Sequence, residues 1–341
     1  MLAAQYHKVE NKIEVNRIPI PSCANNEILI KTKCASLCHS DLMLFWGHTA
    51  EEPPTDRMTI GHENTGYVVA MGEEVKGFNI GDPVGCLNCS YACYECEGCQ
   101  THGLFCEKGT GRMHGFTCSG HFAEYSVSDY KNAMVLPKDM DMITAAPLFC
   151  AGVTAYHAVK GCEILEGQWL AVVGCGGLGH LAIQYAKAMG IKTIGIDVSN
   201  SQLEAVKHLG TDATINTLET PDWEAQLRKL TKGGCHAAAV FSASNAAYES
   251  ATKALRINGL LMVAGIPKRP LSINAPDILL GKYRIAGKSS GIPKNMPEAI
   301  HFSHEHDIKA HITTFPSIED IHKVIGMMEA GQSAGRFGIV F

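Results

Sequence analysis

Along the first 150 or so residues the apolar positions fall in short runs broken by turn-forming residues. Beyond that point they alternate with stretches of helical period. In the first part Glu27 to Lys31, Gly66 to Ala70 and Phe122 to Val127 read as β-strands, being short, apolar or β-branched, and bounded by turn residues. In the second part strands are predicted over Trp169 to Val173, Thr193 to Asp197, Ala237 to Phe241 and Leu260 to Ala264. Helices are predicted from Leu178, near Ser201 to Leu209, and over Asn245 to Leu255. Strands and helices in alternation give a doubly wound parallel sheet with helices on both faces. The final run, Phe337-Gly338-Ile339-Val340-Phe341, is strand-like but has no place in that alternation, and it is expected to return to the first domain. The fold class is therefore α/β: a mostly-β domain of residues 1–150 and 288–341, and a doubly wound parallel-sheet domain of residues 151–287.

Composition narrows the function. With 341 residues, 46% hydrophobic and 18% charged, the chain can bury a large core in about two domains. A formal net charge of -5 and the absence of any Lys/Arg run argue against nucleic acid or an anionic membrane as partner, which leaves a small molecule. Met1 to Val15 carries Gln5, His7, Lys8, Glu10, Asn11 and Lys12 and so holds no signal-peptide hydrophobic region, and no apolar run is long enough to span a bilayer. Fourteen cysteines in such a chain point to a reducing cytoplasm and to metal ligands rather than a disulfide scaffold.

The turn Gly174-Cys175-Gly176-Gly177-Leu178-Gly179 follows an apolar strand and opens a helix, and Asp197 ends the next strand at the offset of about 20 residues that dinucleotide binding requires. Glycines make the turn tight and let the backbone approach a pyrophosphate set against the helix N-terminus. Asp197 would accept hydrogen bonds from ribose hydroxyls and repel a 2′-phosphate, and Val198 to Gln202 contain no Arg or Lys to hold one, so NAD(H) is favoured over NADP. The plainer reading of Asp197 is a cap of the next helix.

Two thiol-bearing sets suggest metal. Cys93, Cys96, Cys99 and Cys106 are close enough in sequence to converge on one tetrahedral zinc. Cys38, the pair His62-Glu63 and Cys150 are scattered, as the ligands of a catalytic zinc are, with two thiolates, one imidazole and an open position. Each residue alone also reads as a buried small hydrophobe or an ordinary core histidine, and the case rests on their neighbours.

Those neighbours carry a family resemblance. Cys38-His39-Ser40-Asp41, Gly61-His62-Glu63, Gly81-Asp82-Pro83-Val84-Gly85, the four-cysteine cluster, Cys150-Ala151-Gly152-Val153-Thr154, and Gly331-Gln332 through Gly335-Arg336 occur in the order found in zinc-dependent medium-chain alcohol dehydrogenases. The chain most resembles the microbial and fungal branch. The resemblance implies a GroES-like catalytic domain joined to a Rossmann domain, two zincs per chain, NAD(H), and a homo-oligomer, dimer or tetramer. It implies that Cys38, His62 and Cys150 hold the catalytic zinc, that Glu63 is its neighbour and transient ligand, and that Asp41 orients His62. It implies that His39 and Arg336 bind the cofactor pyrophosphate and that Ser40 relays the substrate proton. The implied chemistry is metal-assisted alkoxide formation and hydride transfer between alcohol and aldehyde or ketone.

Three features depart from the family. Met43 stands where many relatives have a histidine that continues the proton path; six residues rather than seven separate Cys99 from Cys106, with Cys89 near enough to compete as a ligand; and Leu87-Asn88-Cys89 and Gly47-His48-Thr49 replace large aromatics expected near the substrate. A roomier, more polar pocket is expected if these residues line it. Two other functions stay open: a zinc-containing reductase of activated C=C or C=N bonds, and a non-catalytic NAD(H)- or zinc-binding protein. Ser40 and Asp41 favour the alcohol chemistry.

Overall fold

The computed structural model describes residues 1–47, 52–267, 269–332 and 335–341. The chain divides into two compact units, one of Met1–Ala151, Ser290–Glu305 and Lys309–Phe341, the other of Gly152–Ser289 with His306–Ile308.

The first unit is built on antiparallel strands. Its N-terminal sheet joins β1 (Leu2–His7), β2 (Lys12–Arg17) and the short β4 (Arg57–Thr59), with β3 (Glu27–Leu37) between them in sequence but in another sheet. In that larger sheet β3 pairs with β5 (Glu63–Met71), which pairs with β6 (Pro83–Cys86). The two-residue strands β7 (Cys89–Ser90) and β8 (Arg112–Met113) pair with each other, while β9 (Tyr125–Asp129) adds to β3 and β10 (Ala133–Val135) to β6.

Strand β3 runs past the predicted end at Lys31 to Leu37. Bulges after Leu29 and after Thr32 bend it, and the polar run Lys31-Thr32-Lys33 hides the continuation from a pattern reading. Phe122, expected to open a strand, instead lies before β9: it is fully buried, its amide donates to the Ile60 carbonyl, and its carbonyl accepts from Ala4. The sheet closes over Ile28, Ile30, Val68 and Val84 on one side and over Tyr6, Leu37, Phe122, Phe337 and Ile339 on the other. Each large apolar side chain so buried contributes roughly 1.5–3 kcal/mol.

The second unit is a sheet of six parallel strands among the described residues: β11 (Trp169–Val173), β12 (Lys192–Asp197), β13 (Ala213–Asn216), β14 (Cys235–Val240), β15 (Leu255–Val263) and β16 (Tyr283–Gly287). Their order is β13-β12-β11-β14-β15-β16, so the order reverses between β11 and β14, the switch point at which such sheets bind dinucleotides. Strand β15 starts five residues before the predicted Leu260, because the chain passes Asn258, at φ 61, without leaving the sheet.

The last strands are β17 (Ile312–Phe315) and β18 (Arg336–Val340). Strand β18 lies antiparallel to β3, with Phe337 opposite Leu37 and Gly338 opposite Ser36, so the C-terminal run belongs to the first unit's sheet. Among the described residues no single helix is long and apolar enough to cross a membrane.

Candidate metal centres and nucleotide loop

The register of β3 against β5 builds the first centre. Ser36 lies opposite Glu63, so Cys38, just past the end of β3, and His62, just before β5, are brought to the same corner. Cys150 arrives from the end of the 3-10 turn Ala146–Phe149. One donor atom from each of Cys38, His62, Glu63 and Cys150 lies within 4.8 Å of all the others. Cys38, His62 and Glu63 are buried, which removes competing water from the donors.

The donors are held from behind. Asp41 Oδ1 lies 2.7 Å from His62 Nδ1, while its Oδ2 accepts from the Cys38 amide at 2.9 Å. The carboxylate fixes Nδ1 as the protonated nitrogen and leaves Nε2 for a ligand. Burial works against charge on His62, but Asp41 and Cys38 outweigh it and raise its pKa well above the usual imidazole value. The hydrogen bond from Cys150 is the main reason that the Cys38 thiol is drawn well below the usual thiol range, and Cys150 is driven up in return. Two thiols whose sulfurs lie within 4.8 Å of each other and of a His62 ring nitrogen are what a divalent cation would deprotonate. The Ser40 hydroxyl lies 3.6 Å from Cys38 Sγ.

Glu63 is fully buried, and burial raises its pKa to about 7 against the lowering influence of Arg336. The Ser36 hydroxyl donates to Oε2 at 2.5 Å. Arg336 Nη2 lies 3.1 Å from Oε1, yet neither atom makes a hydrogen bond of acceptable angle: the pair is close but misaligned, and Coulomb attraction is its content.

The second centre is local in sequence. Cys93, Cys96, Cys99 and Cys106 also place one sulfur each within 4.8 Å of the others. The Cys93 and Cys99 sulfurs are 3.7 Å apart, close to the roughly 3.8 Å edge of a tetrahedron with zinc–sulfur arms of about 2.3 Å. The 3-10 turn Gly103–Phe105 delivers Cys106 in spite of the shortened spacing. Backbone amides of Cys93 and Glu107 donate to the Cys106 and Cys96 sulfurs, and the Thr110 hydroxyl is the main cause that lowers Cys106 to about 5. Cys89 stands outside this group; its thiol packs where a side chain on Gly103 would fall, and burial pushes it up to about 12.

In the second unit the glycine turn joins β11 to the helix Gly179–Ala188. Gly174 has φ 91, a conformation that favours glycine, and the space a side chain on Gly176 would fill is open. Leu178, at the N-cap, makes no side-chain capping bond, so the first-turn N–H groups of Gly179 and its neighbours are not satisfied by a side chain. An open cradle before an uncapped helix start fits a pyrophosphate. Asp197 accepts from the amides of Cys175, Val198 and Ser199, at 2.7, 2.7 and 2.9 Å, and the cap of the next helix is Ser199 instead.

Comparison with known proteins settles the family. Residues 24–138 match the model of the alcohol dehydrogenase GroES-like domain, and residues 177–305 match that of the zinc-binding dehydrogenase. An alcohol dehydrogenase of Geobacillus stearothermophilus is 34% identical over 337 residues, 98% of each chain. One of Rhizobium meliloti is 33% identical over 336 residues, covering 98% of this chain and 97% of its own. The crystal structure of the alcohol dehydrogenase of the archaeon Aeropyrum pernix superposes with a TM-score of 0.90 at 27% identity, each chain covered in full. The chain belongs to the zinc-dependent alcohol dehydrogenase family.

Zinc and NAD fit the residues present: the four-cysteine group suits a structural zinc, and the Cys38, His62, Cys150 and Glu63 group a catalytic one. His39 is exposed and packs its ring on Trp46 at 5.1 Å, while Phe45 packs edge-on against Tyr6 in the core. Met43 opens the short helix Met43–Trp46 and brings no proton acceptor. Leu87, Asn88 and Cys89 are buried, with Asn88 accepting from the Ser290 hydroxyl; His48 and Thr49 lie outside the described residues. Sequence reasoning missed Ser36 on Glu63 and Phe116 against the His62 ring at 5.4 Å, since neither sits in a motif.

Proposed function

We propose that this protein is an NAD(H)-dependent oxidoreductase that interconverts an alcohol and its aldehyde or ketone. The observation that carries it is the meeting of the buried Cys38 and His62 with the part-buried Cys150, with the Ser40 hydroxyl beside Cys38. These three residues would hold one zinc, and Cys93, Cys96, Cys99 and Cys106 a second. Bound zinc would supply Lewis-acid polarisation of the substrate oxygen, and NAD(H) the hydride acceptor or donor.

The chain's own part is positioning and proton handling. Asp41 keeps His62 in the tautomer that offers Nε2. Ser40 takes the substrate hydroxyl proton and passes it on, and with Met43 three positions later the onward path leaves by water or another group. Gly174, Gly176, Gly177, Leu178 and Gly179 would receive the pyrophosphate, with Asp197 taking the ribose hydroxyls on its remaining lone pairs. His39 and Arg336 are proposed as further pyrophosphate contacts; the Arg336 Nε and Nη2 donors, which have no hydrogen-bond partner among the described residues, support this.

The division into a catalytic domain of residues 1–150 and 288–341 and a nucleotide domain of residues 151–287 is part of the same reading, supported by the two compact units. So is a cytoplasmic location, supported by fourteen cysteines that are all free. A homo-oligomer is supported by the uncovered edge of the parallel sheet at β16.

The test is an NAD(H) absorbance assay over primary, aromatic, allylic and secondary alcohols, the matching aldehydes and enals, with zinc measured on the same preparation. Alcohol or carbonyl turnover at about two zincs per chain is expected. Activity confined to C=C reduction would overturn it.

A further inference from the structure

The Ser36 side chain has no place in the chemistry above, yet it makes the shortest contact in the centre. It lies on β3 one pleat before Cys38, opposite Glu63 on one side and Gly338 on the other, and it is fully buried. Its hydroxyl holds Glu63 Oε2 at 2.5 Å. Among the described residues Oε1 has no hydrogen-bond partner, although it is buried and Arg336 stands 3.1 Å away. A Glu63 oxygen lies within 4.8 Å of the Cys38 and Cys150 sulfurs and a ring nitrogen of His62. A buried carboxylate with one oxygen tied and the other unmatched beside three metal donors has two competing attachments.

We propose that Ser36 is a positioning residue that holds Glu63 back, so that the fourth position of the catalytic metal stays open to substrate rather than closed by a fourth protein ligand. This rests on the zinc-enzyme reading above. Without the hydroxyl, Glu63 Oε2 loses its hydrogen bond at a site of zero exposure, and the carboxylate, with Arg336 misaligned, turns towards the metal. Ser36 thus sets how readily an outside ligand enters, independently of the hydride step.

The test uses the full-length protein with Co2+ in the catalytic site, since zinc is spectroscopically silent, and imidazole as probe of the open position, read from the visible d–d bands. Ser36→Ala is expected to weaken imidazole binding about tenfold, the scale of one charge-assisted hydrogen bond, and to shift the resting spectrum. Ser36→Thr keeps the hydroxyl and is expected to stay within about twofold of the parent on the same scale. In a Glu63→Gln background, Ser36→Ala is expected to change nothing, because the competing ligand is gone. Unchanged or tighter imidazole binding in Ser36→Ala, or an equal loss in the Glu63→Gln background, overturns the role of Ser36 alone. Absence of a sulfur-to-cobalt charge-transfer band in the parent protein overturns the zinc-enzyme reading and this inference with it.

Discussion

The Asp41 carboxylate lies 2.7 Å from His62 Nδ1, with both side chains 1% exposed. At that depth the contact fixes which nitrogen carries the proton, and the second oxygen ties the Cys38 amide into the same unit. Asp41→Asn keeps the shape and removes the charge. It is expected to weaken zinc at the Cys38, His62 and Cys150 centre by about 10–100-fold, the usual cost of losing such a partner. Chelator competition followed by metal analysis measures this; retention equal to the parent would remove Asp41 from the centre.

The four-cysteine group separates ligand from bystander. Cys106→Ala is expected to leave about one zinc per chain and to lower the thermal midpoint by several degrees. Cys89→Ala, whose thiol only fills space beside Gly103, is expected to keep both zincs at a packing cost of about 1 kcal/mol. Zinc analysis of the two variants side by side decides it, and loss of zinc from Cys89→Ala would reassign the ligands.

What could be read in the sequence was what is local or specific in combination. The glycine turn, its flanking strand and helix, and the cysteine cluster each occupy a short stretch, so spacing alone brings their parts together. The scattered Cys38, His62 and Cys150 became legible through the motifs around them. Ser36 and the misaligned Arg336 were not legible, because their meeting with Glu63 depends on the register of β3 against β5 and β18, and two bulges in the β3–β5 ladder set that register. A one-residue slip would turn Ser36 to the other face. Phe122 misled the strand reading for a related reason: its burial comes from bridging β1 and the residues after β4, not from a ladder of its own.

Asp197 holds the glycine turn through the Cys175 amide, and in the proposed function it would also take the ribose hydroxyls. Since it already accepts three amides, Asp197→Asn is the informative change, keeping one acceptor oxygen while removing the charge. The KM for NAD is expected to rise roughly tenfold, and the ratio of kcat/KM for NADP over NAD to rise by at least as much, as the repulsion of a 2′-phosphate is lost. Steady-state kinetics with both cofactors checks this; an unchanged ratio would leave Asp197 a purely structural residue.

Two buried histidines give the first unit an acid-sensitive point. The His114 and His121 rings lie 4.5 Å apart with their planes tilted by 42°; His114 Nδ1 donates to the Ser119 carbonyl, its Nε2 accepts from Ser128, and His121 Nδ1 meets Ser126. Burial lowers His114 from 6.5 to about 4, with Glu27 pulling upward and His62 downward, and burial likewise lowers His121. With the folded value depressed, the unfolded chain takes up the proton first. The stability is complete above about pH 6.5 and is lost as pH falls through that value towards about 4, on the order of 3 kcal/mol for His114. Urea midpoints from pH 7.5 to 5 are expected to fall less in His114→Gln than in the parent, which separates this effect from acid release of zinc. Equal slopes would exclude it.

Among the described residues strand β16 ends the parallel sheet without a neighbouring strand on its outer side, and an edge strand of this kind is a template for a second strand. Beside it the residues are apolar: Ile285 is 37% exposed on the strand, and Leu279 and Leu280, at 85% and 81%, end and cap the short helix Ala275–Leu279 that precedes it. So much exposed leucine at an open sheet edge is what a second copy of the chain would cover. Leu280→Glu with Ile285→Lys places charges on that edge and is expected to reduce the mass seen by light scattering to one chain, with the circular dichroism of the fold retained. A double variant with unchanged mass would locate assembly elsewhere, and a parent protein that is already monomeric would refute it.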